Sequence, residues 1–131
     1  MNAHEIAREL DRVMAAQSLG VSIPDLMRSD ERQLGNRIVL PGEASWLPAE
    51  EWSPDCVVSM QGKTVRLILI TALNPGRGAL RRLLGAIEAE GFTPCILAPV
   101  YELQQTLKRW GWKEKAVGNG RTTEHRWSPR A

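Results

Sequence analysis

The residues best suited to chemistry lie where two structural elements meet. In "LILITALNPGRGALRRLLGAIEAEGF", residues 67–92, an apolar run stops at Asn74-Pro75-Gly76 and an amphipathic segment starts just beyond. Its first turns carry Arg77, Arg81 and Arg82. A helix bears partial positive charge at its N-terminus, where acidic side chains are the favoured company. Three arginines there either point away into water or face something negative. Gly76 and Gly78 allow close backbone approach, and the first N–H groups of a helix have no partner inside it. Together these features make an anion site, and arginines add the charge-assisted contacts that a phosphate or pyrophosphate takes. The loop is neither a Walker A sequence, since no Lys-Ser or Lys-Thr follows, nor a GxGxxG fingerprint. A plain strand-to-helix turn with solvated arginines fits the same residues.

Other groups could carry protons. Glu50-Glu51 sits between Trp46 and Trp52 in "EASWLPAEEWSPD", where a carboxylate base with indole walls could line an acceptor pocket. The alternative is a surface loop pinned by tryptophans in the core. His125 could act as a base, or be structural. Cys95 in "TPCILAP" reads as a buried packing residue. Cys56 and Cys95 form no CxxC and no cluster with His4 or His125, which argues against a metal site or a disulfide framework. Two scattered cysteines fit a reducing cytoplasm. Lys108, Arg109, Lys113 and Lys115 lie near Trp110 and Trp112, a pattern that can bind single-stranded nucleic acid. Trp110, however, continues the helical spacing of Leu103 and Leu107, which favours a core tryptophan beside solvated lysines. Ser53 and Ser59 lack a Gly-x-Ser-x-Gly elbow.

Periodicity supplies the elements that must position these residues. Ile6, Leu10, Val13, Met14 and Gln17 mark a helix over 3–18. Pro24 opens a second, "PDLMRSDERQL", ended by Gly35. "NRIVL" reads as a strand stopped by Pro41-Gly42, and "CVVSMQGKTVRLILITAL" as an antiparallel hairpin around Gln61-Gly62. A strand over 65–73, a helix over 79–90 and a strand over 93–98 imply a right-handed crossover between parallel strands. Tyr101 to Trp110 reads as a helix ended by Gly111, and "WKEKAV" with "TTEHRW" as a closing hairpin. The fold class is α/β or α+β: a mixed sheet with a central βαβ unit and helices on both faces.

The chain has 131 residues, 43% hydrophobic and 24% charged, the balance of one soluble globular domain. A net charge of +2 is too small to argue for nucleic acid or an acidic membrane. The start of the chain has no apolar core of a signal peptide, and no run reaches the ~20 apolar residues that span a bilayer.

From about Cys56 to Trp127 the chain resembles the second half of a GNAT-type N-acyltransferase. That family has a strand, a glycine-bearing pyrophosphate loop, a helix, a strand, a helix ending in Gly-aromatic, and a final hairpin. Here "VRLILITAL", "NPGRGA", "LRRLLGAIEAEG", "TPCILAPV", "LQQTLKRWGW" and "KEKAV…TTEHRW" follow in that order. Against the family loop Q/R-x-x-G-x-G/A, Leu73 stands where Gln or Arg is expected. Leu107 stands where a tyrosine acid is frequent, and an N-terminal strand is not evident. The resemblance implies one domain over 1–131, with 1–55 as a variable acceptor-side half and 56–131 as the cofactor-side half. It implies acetyl-CoA or another acyl-CoA as co-substrate, held by Gly76, Arg77, Gly78, Ala79, Leu80, Arg81 and Arg82, with the pantetheine arm along the backbone of Ile70, Thr71 and Ala72. An unidentified small-molecule or protein amine would take the acyl group. With Leu107 unable to act, Tyr101 or water becomes the candidate acid, and Glu50, Glu51 or His125 the candidate base. A homodimer fits the family, and no membrane, metal or nucleic acid is implied. Two alternatives stand beside this: a non-catalytic binding or regulatory module on the same fold, resembling some phage-encoded proteins, or a small nucleic-acid- or protein-interaction domain.

Overall fold

The computed structural model describes residues 3, 6–8, 10, 11, 22–99, 101–118 and 123–129. Residues 3, 6–8, 10 and 11 are helical, and the rest of the helix expected over 3–18 lies outside the described residues. Helix α1 (Ile23–Gln33) begins where Ser22 Oγ accepts the Asp25 N–H at 3.2 Å, with proline in its first turn. Strand β1 is only Arg37–Ile38, shorter than "NRIVL" suggested. The Leu40 N–H turns to the Glu43 carboxylate at 2.6 Å, and the Glu43 N–H returns to the Leu40 carbonyl, so the chain curls into a tight turn.

Strands β2 (Val57–Gln61) and β3 (Thr64–Leu69) form the expected hairpin. Helix α2 (Ala79–Ala89) crosses to β4 (Thr93–Leu97), which pairs parallel with β3 from Thr64↔Thr93 to Leu67↔Ile96. Helix α3 (Tyr101–Arg109) follows, then the hairpin of β5 (Lys113–Gly118) and β6 (Thr123–Ser128). The sheet order is β1-β2-β3-β4-β6-β5, so β6 inserts between β4 and β5. The class is therefore α+β with a mixed six-stranded sheet, as the sequence implies. A further boundary differs, at the end of β3. The strand expected over 65–73 ends at Leu69, because beyond a register shift at Val57/Val58 the chain leaves β2 and pairs instead with the 51–53 segment.

Alternation along the strands gives the sheet two unlike faces. Val58, Val65, Leu67, Ile96 and Trp127 meet Leu83, Leu84 and Ile87 of α2 and Leu107 of α3 in one apolar cluster. Trp46, Leu47 and Trp52, from the loop between β1 and β2, join the same cluster. The two tryptophans are thus core residues that pin a loop, not pocket walls beside Glu50. Ser59 and Arg66 stand opposite one another in the ladder on the other face, where they meet Glu31 of α1.

Ile87 has no exposed surface and sits where α2 meets β4. Ile87→Ala removes buried methyl groups from a site that cannot fully collapse, so a loss of about 2–5 kcal/mol is expected in urea unfolding. Leu73→Ala, at an exposed loop position, is expected to change stability by less than ~0.5 kcal/mol.

Candidate functional site

Arg77, Arg81 and Arg82 meet three different fates. Helix α2 starts at Gly78, whose φ of 73° is left-handed and suits glycine. No side chain caps this end, and its first turn holds no acidic residue. The negative charge comes from elsewhere in the chain. Glu51 Oε1 accepts from Arg82 Nη2 at 2.7 Å and from Arg82 Nε at 3.1 Å, while Arg82 Nη1 donates to the Arg77 carbonyl at 2.5 Å. The Arg81 guanidinium lies 5.1 Å from the ring centroid of Trp110, a cation–π stack that also shields the indole. Arg77 is exposed and keeps its charge unmet among the described residues. Glu51, Asn74, Arg77, Ala79 and Arg82 line a cleft of about 290 Å³ at the head of α2.

The segment leading into the cleft is held from one side. The Thr71 carbonyl accepts from the Ser53 N–H at 2.9 Å, and the Thr71 N–H points to Cys56 Sγ at 3.3 Å. The Leu73 N–H donates to the Glu51 carbonyl at 2.9 Å, around the isolated bridge of Ala72 with Trp52. Both backbone groups of Thr71 are therefore engaged on this side, the carbonyl by Ser53 and the N–H by Cys56. By alternation the backbone groups of Ile70 and Ala72 turn the other way, toward β4. There the β3–β4 ladder has already ended at Leu67↔Ile96.

The other proton-carrying candidates lie outside this cleft. Tyr101 opens α3 and is 68% exposed. His125 lies on β6, its carbonyl accepting from the Ala98 N–H at the end of β4, with Nδ1 3.5 Å from Glu114 Oε1. The cleft thus gathers Glu51 with Asn74, Arg77, Ala79 and Arg82; Gly76, Gly78, Arg81, Tyr101 and His125 do not line it, and Leu80 is half-buried against the apolar cluster. Cys95 is buried, as expected, and burial pushes its thiol and that of Cys56 up. Among the described residues no group of three or more His, Cys, Asp and Glu could hold a metal, and no helix is long and apolar enough to cross a membrane.

The most strongly held charges were missed by the sequence reading. Arg66, 1% exposed in the middle of β3, donates through Nε to Glu31 Oε1 at 2.8 Å and through Nη2 to Glu124 Oε1 at 2.6 Å. Glu31 Oε1 also accepts from Ser59 Oγ at 2.5 Å and from Asn36 Nδ2 at 3.2 Å, while Arg126 Nε donates to Glu124 Oε2 at 2.8 Å. Burial alone would push both carboxyls up. Hydrogen bonds from Arg66, with those from Ser59 and Asn36 at Glu31 and from Arg126 at Glu124, more than offset it and leave both below the usual value. Burial likewise pulls Arg66 down, and its two carboxylates outweigh that and raise it. The available signal was a lone arginine inside "VRLILITAL", since a strand buried on both faces tolerates such a charge only when it is paired.

Two outcomes follow from this network. Carboxyls held low in the folded state stabilise it above their unfolded value, near 4.5, and that contribution is lost as pH falls through the lowered folded values. Urea midpoints should therefore decline below about pH 5. Arg66→Met leaves Glu31 buried and without its main partner, so it should cost about 3–5 kcal/mol at pH 7, and the pH-dependent part of the decline should shrink.

The chain matches no protein-family model, no curated protein and no solved structure, so a functional reading rests on its own residues and geometry.

Proposed function

We propose that the chain is a GNAT-like N-acyltransferase that binds an acyl-CoA and passes its acyl group to an amine. The observation that carries the reading is the parallel β3–β4 pair whose ladder ends at Leu67↔Ile96 just before the Asn74–Gly78 turn and an uncapped α2. The order strand, glycine turn, helix, strand, helix ending at Gly111-Trp112, and hairpin supports it further. In this reading the pyrophosphate takes the free N–H groups at the head of α2 and the charge of Arg77, exchanging with Glu51 for Arg82. The pantetheine amides pair with Ile70 and Ala72, whose backbone groups face the opening, and not with Thr71. The amine nitrogen attacks the thioester carbonyl, the amide bond forms, the C–S bond breaks and CoA leaves as the thiol after the amine proton is removed. Catalysis is mainly positioning of the amine against the thioester. Tyr101 and His125, both near the end of β4, are the groups to move protons, since the Glu51 carboxylate is engaged by Arg82.

One observation favours a second reading, a non-catalytic module on the same fold. The Glu51 carboxylate already fills part of the anion site, as expected of a cleft that no longer takes phosphate.

Calorimetry with acetyl-CoA tests the first step. Saturable binding is expected, about tenfold weaker or more in Arg77→Ala, the loss of one charge-assisted contact of ~1.5–3 kcal/mol. Glu51→Gln should bind more tightly, because it frees Arg82 and removes a like charge. CoA release with a panel of amines, polyamines and peptide N-termini tests the second step, and Tyr101→Phe should slow it if that hydroxyl is the acid. No heat at millimolar acetyl-CoA overturns both cofactor binding and transfer. Binding with no CoA release from any amine favours the non-catalytic module.

A further inference from the structure

At the opposite end of α2 lies a second and larger hollow, of about 520 Å³. Small-molecule sites typically span roughly 300–1,000 Å³. Its walls mix apolar and polar groups: Ala44, Ser45 and Trp46 from the loop after β1, Met60 of β2, Gly62 in the β2–β3 turn, and Phe92 just before β4. Two opposite charges flank it, Arg37 and Glu90. Arg37 stands opposite Met60 in the β1–β2 ladder, so the two side chains leave the same face of the sheet. Glu90 closes α2 at the end where the last carbonyls already carry partial negative charge, and no basic residue in the last turn answers it. Neither the Arg37 nor the Glu90 side chain has a hydrogen bond or ion pair among the described residues. They line one cavity without meeting each other.

We infer that this hollow binds a small zwitterion with an apolar body, a chemistry shared by free apolar amino acids and dipeptides. The ammonium group would face Glu90 and the carbonyl end of α2, where a cation is favoured and a carboxylate stands unpaired. The carboxylate would take the Arg37 fork. The apolar body would cover Trp46, Met60 and Phe92. A purely apolar ligand would leave both charges unanswered, and an anion alone would meet Glu90. The site is independent of the acyl-CoA cleft, since no residue lines both.

Calorimetry with L-phenylalanine and the dipeptide Phe-Leu tests this, set against N-acetyl-L-phenylalanine, which lacks the ammonium, and L-phenylalaninamide, which lacks the carboxylate. At least one zwitterion should bind saturably, with each blocked analogue about tenfold weaker or more. Glu90→Gln should weaken the zwitterion by about tenfold and leave N-acetyl-L-phenylalanine unchanged. Arg37→Gln should weaken the zwitterion and leave the amide unchanged. Both residues are exposed, so circular dichroism should report unaltered folding for both variants. The inference is overturned if neither zwitterion binds, if blocked analogues bind as well as zwitterions, or if the folded variants keep full affinity.

Discussion

Arg66 brings a charge that cannot be shed into the middle of the sheet, and much of the structure is arranged to meet it. A guanidinium stays protonated even when buried, so the alternatives are paired burial or an unstable fold. Glu31 answers from α1, Glu124 from β6, and Ser59 from the neighbouring strand by sharing Glu31. Two elements far apart in sequence, α1 and β6, are thereby held to one side chain. The register is tied as well: Ser59, Arg66 and Cys95 stand abreast on β2, β3 and β4, and Glu124 reaches the same face from β6 across β4. Sliding β6 by one residue would turn Glu124 to the apolar face and His125 toward Arg66. A hydrophobic residue at position 66 with apolar partners could be as stable, but it would not choose among registers in this way.

The same constraint frees the opposite face to be apolar, and that face receives α2 and α3. With β3 anchored at Arg66 and paired to β4 only through Leu67, its remaining length follows other partners. It goes to β2 as far as Leu69 and then to the 51–53 loop, while β4 passes to β6 through Leu97↔Arg126 and the Ala98–His125 bond. Ala98 takes a φ of 45° there, a left-handed turn for a residue with a side chain, which carries the chain away from β3. The parallel strands thus part for reasons internal to the sheet, beside the loop that leads to the head of α2.

Much of this architecture is written in local patterns. Leu80, Leu83, Leu84 and Ile87 gave α2 through their spacing, Gly91 and Gly111 marked where helices stop, and the β2–β3 hairpin followed from two apolar runs about Gly62. What local pattern does not carry is which distant residue meets which. Arg66 looked like an interruption in an apolar run because Glu31 is 35 residues before it and Glu124 is 58 after it. The end of β3 at Leu69 was hidden for the same reason, since Ile70 to Leu73 are as apolar as the strand and are diverted by contacts with Glu51, Ser53 and Cys56. At the candidate cleft, the glycines and arginines were legible, and their counter-ion, 31 residues upstream, was not.

That counter-ion decides how the head of α2 behaves. Arg82 and Glu51 are 53% and 32% exposed, so water competes for both, and a pair of this kind is worth ~0–1 kcal/mol. Such a contact satisfies the helix end without locking it. A phosphate brought to the cleft would offer more acceptor oxygens and more charge than one carboxylate, and it would find Arg77 already unpaired beside it. The buried network around Arg66 is the opposite case, where each carboxylate is desolvated and none can be exchanged without stranding the others. The protein therefore places its strong electrostatics in the fold and leaves a weak, exchangeable ion pair at the head of α2.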